Sequence, residues 1–120
     1  MTYIDGYVLP LPKKNIGKYK KTAQEAGKIW MKHGALQYVE CIGNELDNKW
    51  STLKYEKMAK AKKGETVVFS FITYTNKKHR DAVNKRVMKE MEKKYDKNQP
   101  MPFDMKRMAY GGFEAIVDLN

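Results

Sequence analysis

Along residues 3–10 (Tyr3-Ile4-Asp5-Gly6-Tyr7-Val8-Leu9-Pro10) the side chains alternate, with Ile4 and Val8 on one side and Tyr3, Asp5, Tyr7 and Leu9 on the other. A period of two predicts a β-strand, ended by Pro10 and Pro12. From about Asn15 to His33 the period changes: Ile16, Tyr19, Ala23, Ala26 and Trp30 recur every three or four residues while lysines fill the opposite side, the pattern of an amphipathic helix. Gly34 supplies its stop, and His33 in the last turn suits the negative end of the helix dipole. Alternation resumes over 35–43, where Leu36, Tyr38, Glu40 and Ile42 oppose Gln37, Val39 and Cys41. Residues 44–64 are too long for an ordinary tight connection and are expected to hold structure of their own, with Ser51 capping a short helix through Leu53, Met58 and Ala59. Residues 65–74 read as the strongest strand, since β-branched and aromatic residues follow one another closely and both faces look buried. Asn76 has the chemistry of an N-cap for a second helix, in which Val83, Val87 and Met91 form one row and Met88 with Tyr95 another. Asn98, Pro100 and Pro102 break the pattern, and residues 109–118 give a last strand containing Gly111 and Gly112.

The order strand, helix, strand, strand, helix, strand is that of a ferredoxin-like α+β fold, βαββαβ, with a four-stranded antiparallel sheet and both helices on one face. Residues 1–120 are expected to form one such domain. Two helices cover only one face of a sheet, yet Tyr3, Tyr7, Leu9, Phe69 and Tyr74 put apolar groups in both alternation sets of the central strands. The uncovered face needs a partner, and a homodimer formed sheet to sheet is the simplest one.

Several segments together resemble the YbaA-like bacterial family of unknown function, within the dimeric α/β-barrel branch of the ferredoxin-like fold. They are Tyr3-Ile4-Asp5-Gly6-Tyr7-Val8-Leu9-Pro10-Leu11-Pro12-Lys13, Gly34-Ala35-Leu36-Gln37-Tyr38 with Glu40-Cys41, and Gly64-Glu65-Thr66-Val67-Val68-Phe69-Ser70-Phe71. His79-Arg80-Asp81 with Val83-Asn84, and Met101-Pro102-Phe103-Asp104 with Lys106-Arg107-Met108 and Tyr110-Gly111-Gly112-Phe113, complete the set. The match spans nearly the whole chain in order; it departs over Trp50 to Tyr55, which lacks a Phe-Pro, and in its high lysine content. The resemblance implies the fold and a dimer, and carries no established activity.

Composition changes the picture mainly through charge. The 120 residues hold 24 Lys and Arg against 14 Asp and Glu, a net charge of +10 that makes nucleic acid an obvious partner to test. Resolved along the chain, residues 13–33 carry seven lysines and one acid, residues 49–63 six and one, and residues 76–97 nine basic residues and four acids. The strand segments are neutral or acidic, so the charge belongs to the helices and the long connection, where a solvated face is its ordinary meaning. An RNA-recognition signature is absent from the third strand, which reads Val67-Val68-Phe69-Ser70-Phe71 without a basic residue or glycine. Nucleic-acid binding therefore remains an alternative, through helix lysines such as Lys18 and Lys21. No apolar run approaches the roughly 20 residues of a membrane span, the N-terminus lacks a signal-peptide centre, and the single Cys41 precludes an intrachain disulfide framework; a cytoplasmic protein without membrane contact is expected.

Candidate chemistry lies where alternation sets polar residues among aromatics: Asp5 between Tyr3 and Tyr7, Glu40 beside Tyr38, and Glu114 beside Phe113. A carboxylate placed in a sheet wall either has a raised pKa suited to acid–base chemistry or meets Lys, Arg or Tyr groups across a dimer and fixes its register. Cys41 has no basic neighbour and reads as a small strand residue, while His33 and His79 lack a second ligand at metal spacing, so neither a metal nor a cofactor is implied. Gly111-Gly112 marks either a bulge or a ligand's close approach. The expected site is a pocket at the sheet face lined by Tyr3, Asp5, Tyr7, Tyr38, Glu40 and Phe113, binding an unidentified small, partly aromatic or apolar molecule. The alternative, implied by the resemblance to the dimeric α/β-barrel superfamily, is a cofactor-free monooxygenase- or isomerase-like enzyme with Asp5 or Glu40 as proton acceptor and Tyr7 or Tyr38 orienting the substrate.

Overall fold

Period-two and period-3.6 patterning produce the elements expected, and a computed structural model describes residues 2–119. Strand β1 is Tyr3–Pro12, helix α1 Ile16–Lys32, β2 Gln37–Ile42, a single turn α2 Tyr55–Met58, β3 Glu65–Tyr74, α3 Lys77–Lys94 and β4 Ala109–Glu114. The four strands lie in the order β2-β3-β1-β4, and every pair is antiparallel, giving the ferredoxin-like sheet. Gly34 ends α1 at a φ of 110°, a left-handed conformation open to glycine at little cost. The Asn76 side chain accepts a hydrogen bond from the His79 backbone N–H at 2.8 Å and caps α3 as expected.

Three details differ from the sequence expectation. Strand β1 runs through both prolines to Pro12 rather than stopping at them. Its pairing with β4 ends at Val8, and the Lys13 N–H turns toward Gly64 at the start of β3. Because N–H direction alternates along a strand, the nitrogens of Pro10 and Pro12 face the side that β4 has vacated, so neither proline removes a ladder hydrogen bond. Ser51 caps no helix: α2 begins at Tyr55 behind Lys54, and residues 48–54 are tied instead by Asn48, whose side-chain oxygen accepts from the Trp50 and Ser51 N–H groups, and by Lys54, whose ammonium donates to the Asn48 and Ser51 carbonyls. Strand β4 stops at Glu114, and its register passes Gly111 and Gly112 without a bulge.

The core forms between the helices and one face of the sheet. Ile29, Ala35, Ile72, Tyr74, Val83 and Val87 make its larger cluster, and Leu9, Leu11 and Val68 a smaller one beside Tyr19 and Phe103. Gly27 is required where α1 crosses β2, since a Cβ there would stand 2.7 Å from the Tyr38 ring. At the far end, Arg107 grips Glu65 with two hydrogen bonds of 2.7 and 2.8 Å and also bonds Asp104, pinning the turn before β4 to the start of β3. The Arg107 hydrogen bonds hold the Glu65 carboxyl at about 2, and those of Lys32 and His33 hold Glu90 at about 2. A depressed native pKa contributes stability that is present above the ordinary carboxylate value and is lost as pH falls toward about 2. Acid titration followed by circular dichroism should therefore show a loss of stability over that window that is shallower in Glu65→Gln; an identical acid profile would remove this ion pair from the explanation.

Candidate functional site

The strand register decides which candidate residues meet. Tyr3, Asp5, Tyr7, Leu9 and Leu11 of β1 form one alternation set, and its members pack into the clusters beneath the helices. Tyr38 and Glu40 of β2 and Ser70, Ile72 and Tyr74 of β3 fall on the same side by pairing. Phe113 belongs to the other set: it pairs with Ile4 and lies over Gly6 and Gly111 on the face that the helices leave open. The expected six-residue pocket thus does not exist as one site. Five of its residues lie on the helix side, Phe113 lies on the opposite face, and the physical reason is that both alternation sets of β1 and β4 carry apolar groups, so pattern alone does not say which set the helices cover.

Asp5 is fully buried, and its partners come from its own chain rather than across a dimer. The Arg80 guanidinium donates to it at 2.7 Å, and the Asn84 amide approaches its other oxygen at 3.5 Å. Arg80 also donates to the Tyr110 hydroxyl at 2.8 Å and to Asp81 at 2.9 Å, and lies 4.9 Å from the centre of the Tyr3 ring. Asn84 accepts in turn from Trp30 Nε1 at 3.1 Å and from the Tyr74 hydroxyl at 3.2 Å. Burial raises the Asp5 carboxyl above its ordinary range, while the Arg80 charge and the hydrogen bonds from Asn84, Tyr110 and Arg80 pull it back. A carboxylate so enclosed and paired has no free face toward a substrate, which suits fixing α3 to the sheet better than proton transfer. Arg80 and Asn84 entered the sequence analysis only as part of the family resemblance, not as partners of Asp5; their four-residue spacing on one face of α3 was the available signal. The Gly112 position belongs to this arrangement, since a Cβ there would come 2.9 Å from Tyr3 Cε2, so the glycine admits a neighbouring side chain rather than a ligand.

Glu40 is different. It accepts from the Tyr19 hydroxyl at 2.7 Å and from the Tyr38 hydroxyl at 2.8 Å, one on each oxygen, and each oxygen retains a lone pair. Burial, with the adjacent Glu40 charge, pushes the pKa values of both tyrosines up, so both remain neutral donors. Two cavities meet here. An outer cleft of about 700 Å³ runs between α1 and the edge strand β2, with Ile16, Met31 and Ile42 among its apolar walls and Lys20 and Lys28 beside them. An inner cavity of about 220 Å³ lies between the helices and the sheet, and Tyr19, Tyr38 and Glu40 border both.

On the open face, Ile4, Val8, Phe69, Phe71 and Phe113 surround a concavity of about 680 Å³, bordered at one end by Met58 and Ala59 of the long connection. Cys41 is exposed at the β2 edge and reaches the outer cleft. Lys18 and Lys21 are exposed on α1. Among the described residues no group of three or more His, Cys, Asp or Glu side chains could hold a metal ion, and no helix is long and apolar enough to cross a membrane.

The chain is 39% identical over 118 residues to the uncharacterized protein YbaA of Escherichia coli (strain K12), covering 98% of this chain and 99% of that one. The same identity and coverage hold for the YbaA proteins of Escherichia coli O157:H7 and Shigella flexneri. A solved structure, the de novo designed protein Foldit4, superposes with a TM-score of 0.46 at 13% identity, over 96% of this chain and 99% of its own. The model of a family described as protein of unknown function (DUF1428) matches residues 2–105; together with the YbaA relatives this shows that the chain belongs to the DUF1428 family.

Proposed function

We propose that the protein binds a small, partly apolar molecule in the outer cleft between α1 and β2, with a hydrogen-bond donor of the ligand directed at Glu40. The observation that supports this is a carboxylate with spare acceptor capacity, oriented by two phenols, in a largely apolar cleft, flanked by Lys20 and Lys28, that is large enough for a ligand. Asp5 takes no part, because Arg80 occupies it. An enzyme using this cleft would have Glu40, and not Asp5, as its proton acceptor. A second reading concerns the open face: the exposed rings of Phe69 and Phe113 favour a second copy of the chain as its cover, since the strand segments are neutral or acidic and the basic helices point elsewhere.

The probe for the cleft is 4-phenylbutylamine, an apolar body with an ammonium donor. In amide-detected NMR titration, shifts are expected over residues 23–28 and 38–42, and Glu40→Gln should weaken binding about tenfold, as a charge-assisted hydrogen bond is worth about 1.5–3 kcal/mol. Shifts confined to the open face, or equal affinity in Glu40→Gln, would overturn the reading.

A further inference from the structure

The inner cavity has a floor whose composition is set by register. Glu40 of β2 pairs with Ser70 of β3, and Ser70 pairs with Tyr7 of β1, so three oxygen-bearing side chains stand in one row across adjacent strands on the helix side. Adjacent strands lie about 4.8 Å apart, which spaces these groups as neighbours. All three residues line the inner cavity, whose walls include Trp30, Met91 and Phe103. Ser70 is 5% exposed and Tyr7 half-buried, and both hydroxyls border the cavity. Burial, reinforced by the Asp5 charge, raises the Tyr7 pKa and keeps that hydroxyl protonated.

Hydroxyls at the cavity floor, beside a carboxylate and under aromatic and thioether walls, offer a ligand both hydrogen-bond donors and acceptors. The walls favour a flat π-system, since aromatic side chains and methionine sulfur both make their best contacts with rings. Size narrows the class: an apolar cavity of about 150 Å³ takes benzene, so about 220 Å³ suits one ring with small substituents. Charge narrows it again, because Glu40 at the floor accepts a donor and repels an anion.

We infer that the inner cavity is a chamber for a single hydroxylated aromatic ring of the phenol or catechol class, with Glu40 accepting from one ring hydroxyl and Ser70 and Tyr7 completing its hydrogen bonds. This rests on the proposed binding role of the helix side and assigns the ligand class to its inner part. Tyr19 and Tyr38 stand at the boundary between the two spaces and hold Glu40 toward both.

The test uses the Trp50→Phe protein, which leaves Trp30 as the single tryptophan and hence a fluorophore in the cavity wall. Catechol and phenol should change its fluorescence saturably, and benzoate should bind at least tenfold more weakly. Ser70→Ala should weaken catechol about three- to tenfold. Ala26→Leu fills the inner cavity from α1 without bordering the outer cleft, so it should abolish catechol binding and leave 4-phenylbutylamine unaffected. Thr22→Leu, at the same wall, serves if Ala26→Leu does not fold. Catechol binding that survives the filling variant, or benzoate binding as well as catechol, would overturn the inference. If 4-phenylbutylamine binds and catechol does not, the chamber assignment fails while the cleft reading stands; if neither binds, both fail.

Discussion

Arg80→Met should lose about 3–5 kcal/mol of stability at neutral pH, the usual result of removing one partner of a buried ion pair. Asp5 has no exposed surface to which its charge can turn, and without Arg80 only neutral donors, Asn84 at 3.5 Å and the Tyr110 hydroxyl, remain beside it. Against a total stability of about 5–15 kcal/mol this is a large fraction, and the melting temperature should fall by roughly 10 °C or more. The variant also carries a pH signature. Without the guanidinium, burial is opposed only by the neutral hydrogen bonds from Asn84 and Tyr110 and raises the Asp5 carboxyl further. A native pKa above the unfolded one adds stability that is present at low pH and is lost as pH rises through the native value, so the deficit of the variant should shrink between about pH 7 and about pH 4. Asp5→Asn combined with Arg80→Met removes the stranded charge and should be milder than Arg80→Met alone. Denaturant unfolding at the two pH values checks all three statements. A loss below about 1 kcal/mol at neutral pH would mean that Asp5 is not a buried ion held by Arg80.

If the open face is covered by a second copy as proposed, the combined Phe69→Lys and Phe113→Lys substitution should leave the chain monomeric. Phe69 is 44% and Phe113 62% exposed in the single chain, on central β3 and edge β4 of the same open face. Each lysine would place an ammonium against its counterpart region in a sheet-to-sheet interface and strand it away from water. Light scattering of the unaltered chain should report about twice its 14.0 kDa, and the double variant 14.0 kDa with unchanged circular dichroism. A monomeric unaltered chain at micromolar concentration would overturn the interface. The two substitutions lie on the face opposite Glu40, so 4-phenylbutylamine binding should persist in the monomer, which separates assembly from ligand binding.

The two carboxylates singled out by alternation have different fates for reasons outside their own strands. Asp5 and Glu40 look alike in sequence, each an acid two residues from a tyrosine on a strand. Asp5 lies on a central strand beneath the first turns of α3, where Arg80 reaches it; Glu40 lies on edge strand β2 beneath α1, where only phenols reach it and a cleft remains open. The difference comes from helix side chains 75 residues from Asp5 and 21 residues from Glu40, contacts that strand alternation does not encode.

Sequence alone determined the order of elements, the βαββαβ topology, the Asn76 cap and the Gly34 stop, because periodicity and capping act within a few residues of chain. It also marked the segments that carry the family resemblance. Tertiary structure alone decided which alternation set lies beneath the helices, and with it the separation of Phe113 from the tyrosines, the capture of Asp5 by Arg80 and the alignment of Glu40, Ser70 and Tyr7. The physical reason is that β1 offers the helices Tyr3, Tyr7 and Leu9 on one side and Ile4 and Val8 on the other, and the burial of the whole sheet against α1 and α3 makes the choice.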